Sequence, residues 1–147
     1  MAELKRHATG TWRGDLRTGT GTASTGSGAI QNVTITFPSR FENAAGSNPE
    51  ELVAAAHASC FSMQLSGLLS GAGTPPEEIR TTATLTLDMG RDAPTITKIH
   101  LDTEGRVPDV DDATFKDKAE EAKNICPISR LLQPGLEEMT VNARLVT

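Results

Sequence analysis

Polar and apolar residues alternate along three stretches in the second half of the chain. Residues 82–89 alternate threonine or aspartate with alanine, leucine and methionine, and residues 95–104 alternate again after a turn at 90–94. A period of two is typical of strands with one buried face, so the pattern predicts a β-hairpin. Residues 139–145 alternate in the same way and predict a closing strand.

The N-terminal segment 5–36 is rich in threonine, glycine and serine. Thr9, Thr11 and Arg13 alternate with glycine and tryptophan, which predicts strands here too. Residues 19–22 read GTGT, but no third glycine completes a dinucleotide-binding fingerprint and no lysine follows as in a phosphate-binding loop. We interpret this segment as a twisted or flexible hairpin.

The clearest helix signal in the chain lies at residues 46–51. Asn48 is a suitable N-cap, Pro49 then occupies the first helical position, and Glu51 falls where a capping box needs a carboxylate. These signals predict a helix from Pro49 to about Ser70 that stops at Gly71 or Gly73.

This predicted helix is uncharged. No charged residue occurs between Leu52 and Pro76, a length that would suffice for a membrane span. The run nevertheless contains polar side chains that make it too polar for lipid, among them His57, Ser59, Ser62, Gln64, Ser66 and Ser70. Its many small residues suit close packing on every side, so we predict a helix buried in the protein and no membrane contact.

A second helix is predicted before the closing strand. Asp111 is placed as its N-cap, and Val110 and Phe115 have the spacing of a hydrophobic staple. The helix should end at Cys126, because the residue before a proline avoids the α region, and Pro127 can start a short helical turn. The order of strands, buried helix, hairpin, helix and strand predicts an α+β fold with a mainly antiparallel sheet.

Length and composition narrow the possible classes of protein. The 147 residues suit a single domain over residues 1–147, but with four Phe, one Trp and no Tyr its core would be thin, which favours oligomerisation. A net charge of −5 argues against general binding to nucleic acid or to anionic membranes. The first six residues lack the apolar core of a secretory signal, which predicts a cytoplasmic protein.

The two cysteines limit the possible chemistry further. A reducing cytoplasm argues against a permanent structural disulfide, and the separation of Cys60 from Cys126 excludes a CxxC motif and a zinc ribbon. These cysteines and the scattered His7, His57 and His100 form no convincing set of metal ligands, so we expect neither a metal nor a cofactor.

Local chemistry alone ranks the two thiols in a definite order. Cys60 lies in the middle of the uncharged helix, where burial would raise the pKa of a thiol and leave it unreactive. Cys126 precedes Pro127 and can occupy a helix N-cap, where backbone N–H groups favour thiolate. Considered residue by residue, Cys126 is the better nucleophile and Cys60 a core residue that would need a cation from elsewhere.

Two longer motifs change this ranking. Residues 46–61, GSNPEELVAAAHASCF, resemble one signature of the OsmC/Ohr family, and residues 126–129, CPIS, resemble its second signature. Residues 11–15, TWRGD, and 39–42, SRFE, are similar to the OsmC branch in particular. The resemblance extends over essentially the whole chain.

The resemblance implies a thiol-dependent peroxidase with an OsmC-like fold, in which an intertwined homodimer has mainly antiparallel sheets around two long central helices. Cys60 would be the peroxidatic cysteine and Cys126 the resolving one. Arg40, in the loop before the helix, would be the active-site arginine with Glu50 as its carboxylate partner, and Arg13 is a weaker alternative. The implied substrates are organic hydroperoxides and, less efficiently, hydrogen peroxide, with a dithiol of the lipoyl-protein type as reductant.

Geometry adds one expectation about the dimer. Glu50 and Cys60 lie about 15 Å apart along one straight helix, so the arginine must bridge them or a second subunit must supply one of them.

Two other functions would use the same residues. A non-catalytic dimer that binds a small ligand predicts unreactive thiols, and a redox sensor predicts the same oxidation without sustained turnover.

Overall fold

The computed structural model describes residues 2–147, which form two compact units that divide after Leu52. The elements in chain order are β1 Ala8–Arg13, β2 Thr20–Thr25, β3 Val33–Ile35, α1 Phe37–Phe41, α2 Pro49–Gly71, β4 Glu78–Asp88, β5 Thr95–Arg106, α3 Asp112–Ile125, α4 Pro127–Leu132 and β6 Glu138–Leu145. This order confirms the predicted α+β class. The expectation that residues 1–147 act as one domain stays a prediction.

The first unit is built on an antiparallel sheet with the strand order β1-β2-β3. Every residue of β1 is exposed. The short helix α1 follows β3, and its N-cap Thr36 forms a reciprocal capping box with Ser39. The sequence analysis did not predict α1, although a threonine three residues before a serine, with proline between them, is a recognisable start signal.

Helix α2 begins at Pro49 and ends at Gly71, as predicted. The expected capping box is only half present. Asn48 Oδ1 accepts from the backbone N–H of Glu51 at 2.8 Å, but the Glu51 carboxylate accepts from Ser47 Oγ at 3.1 Å and does not return to the Asn48 backbone. The hydroxyl of Ser47 lies close enough to compete for that carboxylate.

The second unit is built on a sheet with the strand order β4-β5-β6. The predicted hairpin is present as the antiparallel pair β4 and β5, with a register shift between Thr86 and Leu87. Strand β6 lies parallel to β5, and the chain crosses from one to the other through α3 and α4. Asp111 caps α3 as predicted, since its side chain accepts from the backbone N–H of Thr114.

The core of the second unit lies between this sheet and its helices. It consists mainly of Phe61, Leu65, Leu69, Ile99, Leu101, Phe115, Ala119, Ala122, Cys126 and Ala143. Alternate residues of β5 face it, so the period of two in the sequence corresponds to one buried face. Phe115 fills the space above Gly105, where an added Cβ would lie 2.5 Å from the ring.

Within the described residues of one chain, α2 has one buried face. This face consists of His57, Phe61, Leu65 and Leu69. The opposite face is exposed, and Met63 on it is 75% exposed. The expectation of close packing on every side is therefore wrong for one chain, because the small residues on this face are exposed within the described residues 2–147. By length and composition α2 could cross a membrane, but its buried polar contacts are typical of a core helix.

Candidate active site

The second unit brings the two cysteines together. Cys60 lies on α2, and Cys126 lies at the junction of α3 and α4. Both are free thiols, and their sulfurs lie 2.9 Å apart, within hydrogen-bonding distance. A disulfide bond is about 2.05 Å long, so the two sulfurs need to move only slightly to form one once either of them is oxidised.

The turn that holds Cys126 follows from the proline after it. Cys126 has φ −55° and ψ 128°, which ends α3, and Pro127 starts α4 with Cys126 as its N-cap. The expected N-cap position is therefore confirmed. Cys126 is completely buried, whereas Cys60 is partly exposed, so solvent reaches Cys60 more easily.

The environment of Cys60 makes its thiolate costly. Burial is the largest cause that raises the pKa of the Cys60 thiol above its ordinary value, and the adjacent Cys126 raises it further. The backbone N–H of Ile128, in the first turn of α4, donates to the sulfur and lowers the pKa. Among the described residues of the second unit, no lysine or arginine contributes to this pKa, so a reactive thiolate needs another source of positive charge.

A buried hydrogen bond lies beside the cysteines. His57 Nε2 and Ser129 Oγ are 2.7 Å apart, and both residues are completely buried. His57 Nδ1 is buried without a partner. Burial lowers the pKa of His57, so the imidazole is neutral in this position.

The sequence analysis did not single out this hydrogen bond. Each partner lies three residues from a cysteine, His57 before Cys60 and Ser129 after Cys126. A spacing of three places residues on the same face of a helix, so this repeated spacing was the available signal.

A second polar contact anchors α2 to the sheet. Ser62 Oγ donates to Thr81 Oγ1 at 2.8 Å, and Thr81 Oγ1 lies 2.9 Å from Thr103 Oγ1. Thr81 belongs to β4 and Thr103 to β5. Cys60 therefore lies between two polar anchors of α2, one to α4 and one to the sheet.

The first unit brings Arg40 and Glu50 together. Arg40 Nε and Nη2 both donate to Glu50 Oε1, at 3.1 and 2.8 Å. Arg40 lies on α1 and not in a loop as expected, and its guanidinium lies 5.1 Å from the centre of the Phe41 ring. The other carboxylate oxygen, Glu50 Oε2, is buried without a partner.

The segment between α1 and α2 fixes this pair. Ser39 Oγ donates to the carbonyl oxygen of Ser47 at 2.7 Å, and the Ser47 N–H donates to Thr34 O at 2.9 Å. Gly46 has a φ of +115°, and an added Cβ would lie 2.9 Å from Thr34 O, so a side chain does not fit here. Arg13, the weaker candidate, is exposed at the end of β1.

Arg40 also lines a cavity of about 360 Å³ in the first unit. Most of the wall is apolar and comes from Trp12, Leu16, Ala23, Ile35, Phe37, Phe41, Pro49 and Leu52. The cavity thus combines one cation with an apolar lining, a combination that suits an amphipathic small molecule. Among residues 2–147 no group of histidine, cysteine and carboxylate side chains could hold a metal ion.

The chain is similar to proteins of known family. Residues 42–138 match the profile of the OsmC-like protein family. Peroxiredoxin OsmC of Escherichia coli (strain K12) is 45% identical over 134 residues, which cover 91% of this chain and 92% of that protein. Peroxiredoxin OsmC of Shigella flexneri gives the same values.

Solved structures with low sequence identity share the fold. An OsmC-like protein from Mycoplasma pneumoniae has a TM-score of 0.76 at 17% identity, covering 99% of this chain and 100% of that chain. OhrB, an organic hydroperoxide resistance protein of Bacillus subtilis, has a TM-score of 0.70 at 22% identity, and the match covers 94% of this chain and 98% of that chain. On the strength of its family profile and its 45% identical relatives, the chain belongs to the OsmC-like protein family.

Proposed function

We propose that this chain, a cysteine-based peroxidase, reduces organic hydroperoxides to alcohols with Cys60 as the nucleophile and Cys126 as the resolving thiol. The observation that carries the proposal is the 2.9 Å contact between the two sulfurs. The greater exposure of Cys60 supports its role as the thiol that meets the peroxide.

In the first step the Cys60 thiolate attacks the distal oxygen of the hydroperoxide. A sulfur–oxygen bond forms as the oxygen–oxygen bond breaks, and the alkoxide that leaves takes up a proton to become the alcohol. Cys60 is thereby oxidised to a sulfenic acid. The peroxide accepts the two electrons that the sulfur loses.

In the second step the Cys126 sulfur attacks the sulfenic sulfur of Cys60. A disulfide forms, the sulfur–oxygen bond breaks, and the hydroxyl leaves as water with the proton of the Cys126 thiol. An external dithiol then returns two electrons and two protons to the pair. We propose a dithiol of the lipoyl-protein type as this reductant and the cytoplasm as the compartment.

The positive charge that Cys60 needs would come from Arg40. A guanidinium beside the sulfur lowers the pKa of a thiol, and its remaining N–H groups can donate to the peroxide. Glu50 orients the guanidinium through Oε1. Because Glu50 and Cys60 are separated by about 15 Å along one helix, we propose that the pair from one subunit serves the thiols of the other.

This arrangement requires a homodimer in which the sheets of two chains surround two central α2 helices. Two surfaces of the chain support it. The outward face of α2 carries the small or apolar residues Ala55, Ala56, Ser59, Met63 and Gly67, and all of β1 is exposed. Apart from Arg13 at the end of β1, these surfaces are uncharged, and apolar surface of this kind is stabilised by burial against a partner. Each chain would then contribute its residues 1–147 as one domain.

The cavity beside Arg40 supports an organic substrate. Its apolar wall would receive the alkyl or aryl group of a hydroperoxide while the guanidinium lies at the peroxide oxygens. Hydrogen peroxide has no group to fill this wall. It would therefore react less efficiently.

The test combines turnover with thiol counting. With dihydrolipoamide as reductant, the wild type should consume cumene hydroperoxide over many turnovers, and Cys60→Ser should consume none. Sustained turnover by Cys60→Ser would contradict the proposal. One equivalent of cumene hydroperoxide should remove both free thiols of the wild type.

Two other outcomes would identify the competing functions. Thiols that remain unreactive towards cumene hydroperoxide would indicate a ligand-binding module. Oxidation that stops after one turnover, with reductants of several kinds present, would indicate a redox sensor.

A further inference from the structure

The turn that carries Cys126 contacts α2 at two points. At the first point the Cys60 sulfur contacts Cys126 Sγ and the backbone N–H of Ile128, and at the second His57 is hydrogen-bonded to Ser129. His57 lies one helical turn before Cys60, and Ser129 lies in the first turn of α4 after Cys126. Two parallel contacts fix the distance between the helices and also their relative rotation, which one contact cannot do.

The hydrogen bond has a defined direction. Since His57 Nδ1 is buried without a partner, a proton on that nitrogen would be an orphaned donor, and a buried donor left unpaired is the rarer and costlier case. The proton therefore lies on Nε2, which donates to Ser129 Oγ across 2.7 Å. The lowered pKa of His57 agrees with a neutral ring.

We propose that His57 is a positioning residue that acts through Ser129 to hold Cys126 within reach of Cys60. The pair would thereby set how readily the disulfide forms once Cys60 is oxidised. This inference deepens the proposed function and rests on it for its biological meaning. Neither His57 nor Ser129 touches the peroxide or the reacting atoms in this scheme.

The chemical reason is effective concentration. Two groups held in a reactive geometry behave as if one were present at a very high concentration around the other. After the loss of the His57–Ser129 bond, the polar links described between the Cys126 turn and α2 are those of Cys126 Sγ and the Ile128 N–H, and both end on the single sulfur of Cys60. The turn can then rotate, which lowers the fraction of time in which the sulfurs face each other.

The contact between Ser62 and Thr81 provides a matched control. It anchors the same helix two residues beyond Cys60, but to the sheet and not to α4. Its loss should destabilise α2 to a similar degree. It should leave the position of Cys126 relative to Cys60 unchanged.

The experiment measures the effective concentration of the two thiols by equilibrating the full-length protein with glutathione redox buffers. Ser129→Ala should lower it about fivefold, the factor that corresponds to one ordinary net hydrogen bond. His57→Leu should lower it equally, and the double variant should lower it no further, because both residues act through one bond. Ser129→Thr, which keeps the hydroxyl, should restore a value near that of the wild type.

A Ser129→Ala value within about twofold of the wild type would overturn the inference, as would an equal fall in Ser62→Ala. If His57→Leu does not fold, Ser129→Ala and Ser129→Thr decide the matter alone. The glutathione equilibrium involves no peroxide. A protein that fails to reduce peroxides but shows the expected fall would therefore refute the proposed function and leave the positioning role intact.

Discussion

The sulfur of Cys126 lies 2.9 Å from the sulfur of Cys60, although 66 positions separate the two residues in the chain. The contact depends on the crossover from β5 to β6, which returns the chain through α3 and brings the start of α4 against α2. A resolving thiol that is already in contact with the nucleophile can trap a sulfenic acid before further oxidation.

Replacement of Cys126 by serine should separate the two steps of the reaction. The Cys126→Ser variant should consume about one equivalent of cumene hydroperoxide per chain and then stop, because the sulfenic acid on Cys60 has no resolving thiol. Rapid mixing followed by peroxide titration measures the burst, and dimedone should label Cys60. Multiple turnover of this variant with a dithiol reductant would show that Cys126 is dispensable.

Loss of Arg40 should make the Cys60 thiol less acidic. Burial and the neighbouring Cys126 raise the pKa of Cys60, so without the guanidinium the thiolate should form only above the ordinary thiol value. Below that pKa the rate of alkylation rises about tenfold per pH unit, since only the thiolate reacts. Iodoacetamide alkylation as a function of pH should give a higher midpoint for Arg40→Ala than for the wild type.

Arg13→Ala is the control for this experiment, because Arg13 is the alternative arginine of the sequence analysis. It should leave the alkylation midpoint unchanged. If the alkylation midpoint rises in Arg13→Ala and not in Arg40→Ala, the active-site cation is Arg13.

The cavity next to Arg40 predicts a selective effect on substrate size. Trp12 lines this cavity and is 40% exposed, so Trp12→Ala removes apolar wall area without emptying a closed core. The variant should lose about tenfold in kcat/KM for cumene hydroperoxide, as expected for about 1.4 kcal/mol of lost apolar contact. Its kcat/KM for hydrogen peroxide should stay near that of the wild type, and an equal loss for both substrates would contradict the assigned pocket.

The buried His57 predicts how stability changes with pH. Its pKa is lowered in the folded protein, so between the ordinary histidine value of 6.5 and the folded value the unfolded chain is protonated while the folded chain is not. The free energy of unfolding should therefore be insensitive to His57 above pH 6.5. It should fall as the pH drops below that value, by up to about 1.4 kcal/mol per unit.

Urea unfolding at fixed protein concentration, at several values between pH 5 and pH 8, measures this effect for the wild type and for His57→Gln. The difference in the free energy of unfolding between the wild type and His57→Gln should narrow as the pH falls, because only the wild type carries the titrating imidazole. The contributions of the other titrating groups are the same in both proteins and cancel in this difference. Parallel curves would contradict the prediction, because they would mean that His57 has the same pKa in the folded and unfolded states.

The outward face of α2 predicts where the dimer can be disrupted. Met63 is 75% exposed on this face, and Met63→Glu would place a charge in the proposed interface, where burial of an unpaired charge is strongly unfavourable. Analytical ultracentrifugation should show monomers, and peroxidase activity should fall with dimer content. Met89→Glu is a matched control, because Met89 is 56% exposed in the turn after β4, and it should remain dimeric and active.

Local patterns in the sequence predicted most of the elements. The start of α2 at Pro49, its end at Gly71, the cap at Asp111 and the break at Pro127 depend on residues a few positions apart, so they could be read directly. Helix α1 was missed because a five-residue helix has too few positions for a hydrophobic period. The placement of Arg40 in a loop was wrong for the same reason.

What the sequence determined by itself is therefore local: the α+β class, the bounds of the long elements and, through two motifs, the family and the residues proposed to carry its chemistry. Tertiary structure alone decided which of them meet. Parallel pairing of β6 with β5 brings Cys126 to Cys60, and the Ser39–Ser47 contact brings Arg40 to Glu50. The contact between the thiols depends on how elements far apart in the sequence pack together, which local patterns do not specify. The His57–Ser129 hydrogen bond is of this kind, because its partners lie 72 positions apart and meet only when α4 packs on α2.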